Sequence, residues 1–337
     1  MAKKVKFGIF TDLHVDIMHD CEERLKVFLD ECRKENVDFI IQLGDFCYTD
    51  EDRKCVCQPN KRPINIENAL NFPTYANKDA IIKMFNDFEK PSYHVIGNHD
   101  CDMCTKKQIL EYYGADYDSY YSFDMGGFHF VVLDGNFMRI DGEDIAYENG
   151  NYFDESYRTD KVLPYISNEQ LKWLEKDLAA AKYPSILFSH QRLNDAVASV
   201  LNYEDLTKIL VNAPNKVYMS INGHMHIDNA FKTNGIWYYN LNSMSNYWVD
   251  MGFVREGRYG VEIDEKYPNI KYVIPYKKSV FAIVSLDEKG ATVKGVSGEY
   301  VGESPEEMDL YKGESFFTLP EVKHYVSPSI ADRYMEF

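Results

Sequence analysis

The chain has 337 residues, with 37 basic and 54 acidic side chains and a formal net charge of −17 at pH 7. Its hydrophobic fraction of 45% excludes an intrinsically disordered chain, and no apolar run approaches the ~20 residues that cross a bilayer. The negative charge argues against nonspecific nucleic-acid binding and against docking on anionic membranes, because both need basic patches.

The first half of the sequence alternates between strand and helix patterns. The N-terminal lysines precede an apolar run that is too short for the h-region of a signal peptide, so the sequence predicts a cytoplasmic protein. Strands are expected at residues 5–11, 37–43 and 93–96, and helices at 20–35 and 76–90. Asp20 is predicted to cap the first helix, with Glu23 completing a capping box.

The second half is richer in strands. The expected elements, in chain order, are a hairpin of residues 120–124 and 128–134, a helix at 167–181, a strand at 186–189, a helix at 203–212, strands at 217–221, 236–241, 273–276 and 280–286, and a last hairpin that turns at 288–290. Ser167 is predicted to cap the helix that follows it, with Gln170 closing the capping box. The interleaving favours one α/β domain over residues 1–302, with an acidic tail, 303–337, that packs on it or extends from it.

Polar residues of the metal-ligand type follow five of the apolar strands. They are Asp12 and His14, then Asp45, then Asn98 and His99, then His190, and finally His224 and His226. Sites in α/β sheets lie beyond the carboxyl ends of the strands, so these side chains are expected to converge. A single one of them is usually structural, but the ordered set indicates a metal site. Its nitrogen content suits Zn, Mn or Fe(II) better than a Ca or Mg cage.

The spacing of these residues suggests how two ions would be shared. Asp45 stands alone at its strand end and is the natural carboxylate bridge. In an extended segment, residues 12 and 14 point to one side, so both could bind one metal ion. The same spacing recurs at His224 and His226, which could serve different ions when the metals are ~3.5–4 Å apart.

The sequence resembles the calcineurin-like metallophosphoesterase superfamily, in the branch of class III cyclic-nucleotide phosphodiesterases and purple acid phosphatases. The matching motifs, in family order, are FTDLH (10–14), LGD (43–45), GNHD (97–100), FSH (188–190) and GHMH (223–226). The resemblance implies a four-layered α/β/β/α sandwich with two mixed β-sheets, in which residues 1–302 form the catalytic domain.

The resemblance also implies roles for the motif residues. Asp12, His14 and His226 would hold one metal ion, Asn98, His190 and His224 the other, and Asp45 would bridge them. His99 would lie near the phosphoryl oxygens and the leaving group without binding metal. Asp100 would orient His99 by accepting its other ring N–H. The cofactors would be two divalent or mixed-valence ions of Mn, Fe or Zn.

The implied activity is metal-dependent hydrolysis of a phosphoester, in which a metal-activated hydroxide attacks phosphorus. The substrate would be a small phosphoester, most simply a phosphodiester or a nucleotide. Two alternatives remain open: a phosphomonoesterase or protein phosphatase on the same scaffold, and a non-catalytic scaffold member. All the proposed ligands and His99 are present, which argues against the non-catalytic alternative.

Substrate contacts and cysteines carry weaker signals. Arg192, Asn194 and Tyr48 are candidate substrate-binding residues. Tyr48 lies three residues after Asp45, where purple acid phosphatases carry an iron-binding tyrosine, but those enzymes lack the His of Asp-x-His.

Two pairs of cysteines lie close together in the sequence, Cys55 with Cys57 and Cys101 with Cys104, and Cys47 is nearby. These residues could be ordinary loop residues, a redox-sensitive disulfide or a Cys₄ zinc site.

Overall fold

The computed structural model describes residues 4–46, 74–153, 164–249, 251–267 and 269–337. Its helices are α1 (Cys21–Glu35), α2 (Thr74–Asn86), α3 (Lys106–Tyr113), α4 (Asn168–Ala180), α5 (Tyr203–Asn212), α6 (Val261–Lys266) and α7 (Pro320–Lys323). Its strands are β1 (Lys4–Phe10), β2 (Phe39–Gln42), β3 (Ser92–His94), β4 (Tyr121–Met125), β5 (Phe128–Val132), β6 (Phe137–Ile140), β7 (Glu143–Ala146), β8 (Ser185–Ser189), β9 (Val217–Asn222), β10 (Asn229–Thr233), β11 (Ile236–Asn240), β12 (Asn246–Trp248), β13 (Val273–Pro275), β14 (Ala282–Asp287), β15 (Gly290–Gly295) and β16 (Arg333–Glu336).

The strands form two six-stranded mixed sheets and two short ribbons. The first sheet has the order β16-β15-β14-β1-β2-β3, and the second has the order β10-β11-β9-β8-β5-β4. In the first sheet, β1, β2 and β3 run parallel, while β14, β15 and β16 add antiparallel neighbours. In the second, β5, β8, β9 and β11 run parallel between two antiparallel edge strands. The predicted sandwich of two mixed sheets is therefore confirmed.

The two sheets pack face to face around aromatic side chains. The ring of Phe7 on β1 lies 5.7 Å from that of Phe188 on β8 and 6.0 Å from that of Phe130 on β5. All three are fully buried. Successive side chains of a strand point to opposite faces, so the neighbouring residues of these strands face outward.

Helices cover those outward faces. On the first sheet, Phe10 makes an edge contact with Phe28 of α1, with ring centroids 4.9 Å apart. On the second sheet, Leu187 belongs to one buried cluster with Leu174 of α4 and Leu206 of α5. The layers therefore follow the order α/β/β/α. Within the described ranges, no helix is both long enough and apolar enough to cross a bilayer.

The helix starts show where local sequence signals compete with tertiary contacts. Asp20 precedes α1 but makes no capping hydrogen bond; its Oδ1 accepts instead from Arg24 Nε at 2.7 Å. Ser167 Oγ does accept from the backbone N–H of Gln170, at 3.2 Å. The Gln170 side chain, however, binds the backbone N–H and carbonyl of Asp134 at 2.8 and 2.9 Å. The predicted cap by Ser167 is confirmed. Both predicted capping boxes are wrong, because the Gln170 side chain binds Asp134 and the Asp20 side chain binds Arg24.

The segment after residue 302 contributes to the sandwich. β16 pairs antiparallel with β15, with Gly290 opposite Glu336. Leu310, Ile330 and Met335 are buried in the cluster between the two sheets. These residues therefore close the core at the edge of the first sheet.

Candidate metal centre

The ends of five strands meet at one edge of the two sheets. Backbone hydrogen bonds link the segments that follow these strands: Asp12 N–H donates to the Gly44 carbonyl at 3.0 Å, and Gly223 N–H donates to the His190 carbonyl at 3.1 Å. The predicted strand-end residues are brought together in this way. Their side chains form two adjacent clusters of possible metal ligands.

The first cluster consists of Asp12, His14 and His226. His226 Nε2 lies 3.1 Å from Asp12 Oδ1 and 3.4 Å from His14 Nε2. The His14 Nε2 to Asp12 Oδ1 distance is 3.8 Å. All three side chains are buried, and two imidazole nitrogens and a carboxylate that converge in this way are a ligand set for a transition-metal ion.

The second cluster consists of Asp45, His190 and His224. His190 Nε2 lies 3.2 Å from Asp45 Oδ2 and 3.1 Å from Asn98 Oδ1, so Asn98 joins the group. Asp45 Oδ2 also lies 4.0 Å from His14 Nε2 of the first cluster. Asp45 is therefore positioned between the two clusters, and the donor set fits a pair of ions.

Backbone carbonyls fix the tautomers of two histidines. His226 Nδ1–H donates to the Asn246 carbonyl, and His190 Nδ1–H donates to the Leu43 carbonyl, each at 2.8 Å. Because a carbonyl can only accept, Nδ1 carries a proton in both rings, and Nε2 is the nitrogen that faces the cluster. Such contacts orient histidine ligands before a metal binds.

Five of the clustered residues have a left-handed backbone. The φ angles are 54° at Asp12 and at His14, 50° at Asp45, 70° at His224 and 49° at His226. Non-glycine residues rarely adopt this conformation, which is costly unless the surrounding structure enforces it. The extended geometry predicted for residues 12–14 is therefore wrong, although both side chains still reach one cluster.

Two serines enforce the strained segment around Asp12. The hydroxyl of Ser243 donates to the Asp12 carbonyl at 2.9 Å, and that of Ser245 lies 3.1 Å from the same carbonyl and 3.0 Å from that of Leu13. Both serines are fully buried. They follow β11 and tie the first ligand loop to the second sheet.

Two glycines leave room for the carboxylates. A Cβ added at Gly97 would lie 2.1 Å from the Asp45 backbone nitrogen and 2.2 Å from its Oδ1. A Cβ at Gly223 would lie 2.0 Å from Thr11 Oγ and 2.7 Å from Asp12 Oδ2. The glycines before Asn98 and His224 are therefore required by close approach of the ligand loops.

Burial and charge separate the pKa values of the clustered groups. Burial would raise the pKa of Asp12, but the charge and hydrogen bond of His226 lower it to about 2. Burial lowers the pKa of His14 to about 3, and burial together with His190 lowers that of His224 to about 3. At neutral pH these two histidines are uncharged, as metal ligation requires.

The His190 and Asp45 pair behaves differently. Burial would lower the pKa of His190, but Asp45 raises it to about 9. Burial would raise the pKa of Asp45, but the charges of His190 and His99 hold it well below its usual range. A cation at this position would take over the role of the His190 proton, since it would neutralise the same carboxylate.

His99 lies at the mouth of the site, and its side chain is 22% exposed. Its Nδ1 pairs with Asp102 Oδ2 at 3.0 Å, and Asp102 Oδ1 accepts from the Tyr152 hydroxyl at 2.5 Å. Asp100, to which the resemblance assigned this contact, instead accepts the backbone N–H groups of Gly97 at 2.8 Å and of Asp45 at 3.1 Å. The carboxylate beside the ring is therefore Asp102, because residues 99 and 102 are neighbours across the 3₁₀ turn His99–Cys101.

The predicted substrate contacts do not line this site in the described part of the chain. Arg192 is buried, donates to Asn240 Oδ1 at 2.7 Å and to the Val197 carbonyl at 3.0 Å, and lines a separate cavity. Asn194 is also buried, and its backbone N–H donates to Ser199 Oγ at 3.1 Å. The structure places both in the loop after β8, and their role as substrate contacts stays a prediction. Tyr48 lies outside the described residues.

The described residues test only part of the cysteine predictions. Cys47, Cys55 and Cys57 lie outside the described residues. Cys101 and Cys104 are buried and form no disulfide with described residues. Burial raises the pKa of the Cys101 thiol well above its usual value, which makes it a poor thiolate nucleophile or ligand.

A cavity of about 510 Å³ opens above the two clusters. Its described lining includes His14, Asp45, His99, Ala198, His224, Met225, His226, Tyr247, Trp248, Phe253, Ser315, Phe316 and Phe317. The Trp248 ring lies 5.9 Å from that of His99, at an interplanar angle of 21°. Sequence reasoning missed the role of Trp248, Phe316 and Phe317, since no local motif marks them.

Comparison with known proteins identifies the family. A family model described as calcineurin-like phosphoesterase matches residues 5–228. The chain belongs to the calcineurin-like phosphoesterase family. It is accordingly a metal-dependent phosphoester hydrolase, and the match ends two residues after His226, so it spans every motif of the two clusters.

One solved structure shows the same fold at low sequence identity, and a second gives a lower TM-score. A dimetal phosphatase from Danio rerio matches with a TM-score of 0.56 and 17% identity, covering 90% of this chain and 100% of that one. GAP50, the anchor in the inner membrane complex of Plasmodium, matches with a TM-score of 0.47 and 17% identity, covering 89% of this chain and 87% of that one. No curated protein matches the sequence.

Proposed function

We propose that this phosphoesterase uses two metal ions to hydrolyse a small phosphodiester or nucleotide-type substrate. The observation that carries the proposal is the position of Asp45 Oδ2, which lies 3.2 Å from His190 Nε2 and 4.0 Å from His14 Nε2. One carboxylate thus adjoins both ligand clusters, as a bridging ligand would.

The ligand assignment follows the clusters. Asp12, His14 and His226 would hold one ion; Asn98, His190 and His224 would hold the other; Asp45 would bridge them. The mixture of imidazole and oxygen donors suits Mn, Fe or Zn. When bound, the two ions would polarise the phosphoryl oxygens and lower the pKa of a water nucleophile.

His99 would act on the substrate from outside the ligand set. The pairing of Nδ1 with Asp102 at 3.0 Å directs the opposite ring nitrogen, Nε2, as the one to reach a phosphoryl or leaving-group oxygen. The Asp102 carboxylate would stabilise the protonated ring, so that Nε2–H donates to charge that develops on oxygen. Asp102 is then a positioning residue, since it acts through His99.

The charge of the cavity favours a diester over a monoester. Among the described residues that line it, there is no lysine or arginine. A monoester dianion carries more charge than a diester monoanion, and the described lining offers no lysine or arginine to balance that extra charge. We therefore place a phosphomonoesterase second. The cytoplasmic location stays a prediction from the sequence.

The test is hydrolysis of bis-p-nitrophenyl phosphate and p-nitrophenyl phosphate by the full chain, with Mn, Zn or Fe(II) and without metal. We expect metal-dependent turnover that favours the diester. His99→Ala should reduce turnover by about 10²-fold or more while its metal content stays that of the wild type. Preference for the monoester would favour the second candidate, and no turnover with two ions bound would refute hydrolysis of either ester class.

A further inference from the structure

The polar and metal-binding groups occupy only part of the cavity above the clusters. The rest of its described lining is largely aromatic, from two distant segments: Tyr247, Trp248 and Phe253 after β11, and Phe316 and Phe317 from the C-terminal segment. A phosphate group held at the clusters would not contact most of this surface. The volume of about 510 Å³ is in the range of small-molecule sites that enclose a whole ligand.

Tyr247, Trp248, Phe253, Phe316 and Phe317 form an aromatic wall of the cavity, and ring contacts hold part of it in place. Phe317 is only 8% exposed, and its ring lies 6.2 Å from that of Tyr247 and 5.7 Å from that of Phe253, nearly perpendicular to the latter at 89°. These edge contacts anchor the 3₁₀ turn Phe316–Thr318 against β12 and the segment that follows it. Ser315 N–H donates to Thr318 Oγ1 at 3.0 Å and closes the same turn.

The anchored turn presents a second aromatic ring to the cavity. Phe316 is 43% exposed, although its neighbour Phe317 is buried. Their ring centroids are 5.8 Å apart. Phe316 therefore offers an exposed apolar ring surface to a ligand at the rim of the catalytic cavity.

Trp248 links this wall to the reacting centre. Its ring lies 5.9 Å from that of His99 and 6.2 Å from that of His14. A group attached to phosphorus would therefore leave the clusters alongside the indole. No lysine or arginine lies among the described lining residues, so nothing there recognises a second anionic group. The surface suits an uncharged planar ring.

We infer that this aromatic wall binds a planar aromatic group of the phosphoester. Phe316 is the specificity-determining residue at the rim. The inference rests on the proposed function, since the phosphoryl group must sit at the two clusters. The ring is either the aryl group of an aryl ester or the base of a nucleotide, and both offer the same stacking surface.

Binding of non-reacting ligand pairs tests the inference without turnover. The full chain, loaded with Mn²⁺, is titrated calorimetrically with phenylphosphonate against methylphosphonate, and with the 5′-methylenephosphonate analogue of adenosine monophosphate against that of ribose 5-phosphate. We expect the aromatic member of at least one pair to bind about tenfold tighter or more. The first pair reports a ring attached directly to phosphorus, and the second reports a ring one sugar away.

Variants separate stacking from general effects. Phe316→Ala should abolish the preference, Phe316→Tyr should keep it, and Tyr334→Ala, which removes a 56% exposed ring outside the cavity, should leave it unchanged. Equal affinities within both pairs, or a preference that survives Phe316→Ala, would overturn the inference while leaving the two-metal proposal intact. Fewer than two bound Mn²⁺ ions with no binding of any phosphonate would overturn the proposed function, and the inference with it.

Discussion

Replacing Gly97 with alanine should damage the metal centre without touching a ligand. The added Cβ would lie 2.1 Å from the Asp45 backbone nitrogen and 2.2 Å from Asp45 Oδ1, whereas ordinary contact begins at 3.4 Å. Asp45 must therefore move by roughly 1 Å, because the overlapping atom is backbone and cannot rotate away. The expected loss of stability is about 1–3 kcal/mol.

For catalysis, the displacement of Asp45 matters more than the loss of stability, because Asp45 adjoins both clusters. Its backbone is held on each side: Asp45 N–H donates to Asp100 Oδ2 at 3.1 Å, and its carbonyl accepts from His14 N–H at 3.1 Å. A shift of this size would lengthen the contacts of Oδ2 to both ion positions. A misplacement of about 1 Å in a catalytic group costs around 10²-fold in rate.

The assay combines metal content by mass spectrometry, diester turnover and thermal unfolding. Gly97→Ala should retain fewer than two metal ions and lose about 10²-fold in turnover, while it still unfolds cooperatively. Gly252→Ala is the matched control, since a Cβ there meets nothing within 4 Å. Two tightly bound ions with wild-type turnover in Gly97→Ala would refute the close-approach argument.

Two further predictions concern carboxylate–histidine pairs. Asp102→Asn should reduce kcat by about 10- to 100-fold with two metal ions retained, because a charged hydrogen bond to His99 contributes about 1.5–3 kcal/mol; unchanged kcat would remove Asp102 from its positioning role. The second pair of contacts involves His129, whose Nε2 lies 2.8 Å from Asp177 and whose Nδ1 lies 2.7 Å from Asp124. Burial would lower the pKa of His129, but these two carboxylates raise it above its usual value. A group whose pKa is raised by folding contributes its full stabilisation at pH values below its unfolded pKa, which is near 6.5. That stabilisation is lost as the pH rises through the folded-state pKa. His129→Gln should therefore cost about 1–3 kcal/mol of unfolding free energy at pH 6 and less at pH 9, and equal losses in denaturant unfolding at both pH values would contradict this.

The sequence was sufficient to predict which candidate metal ligands converge. Apolar strands followed by ligand-type residues are visible in the sequence, and parallel strands deliver their carboxyl ends to one edge of a sheet. Asp12, Asp45 and His190 meet for this reason. The glycines before Asp45, Asn98 and His224 were also visible, although their steric role depends on loops that meet only in the folded chain.

Other features depend on contacts that the sequence does not encode locally. The choice between Asp100 and Asp102 as the partner of His99 depends on a single 3₁₀ turn. Helix α3 was missed although Thr105 and Gln108 form a capping box, because its short apolar face gives a weak periodic signal. The aromatic wall joins Trp248 to Phe316, which are far apart in the sequence and carry no shared motif.

The metal stoichiometry of the full chain tests the central claim most directly. The purified protein, equilibrated with Mn²⁺ or Zn²⁺ and examined by native mass spectrometry, should hold two ions. Asp45→Asn should lose at least one of them, while Asp205→Asn, an exposed carboxylate in an ion pair with Lys208, should hold two. A wild-type chain that never binds more than one ion, or an Asp45→Asn variant that still binds two with unchanged affinity, would contradict the two-metal centre.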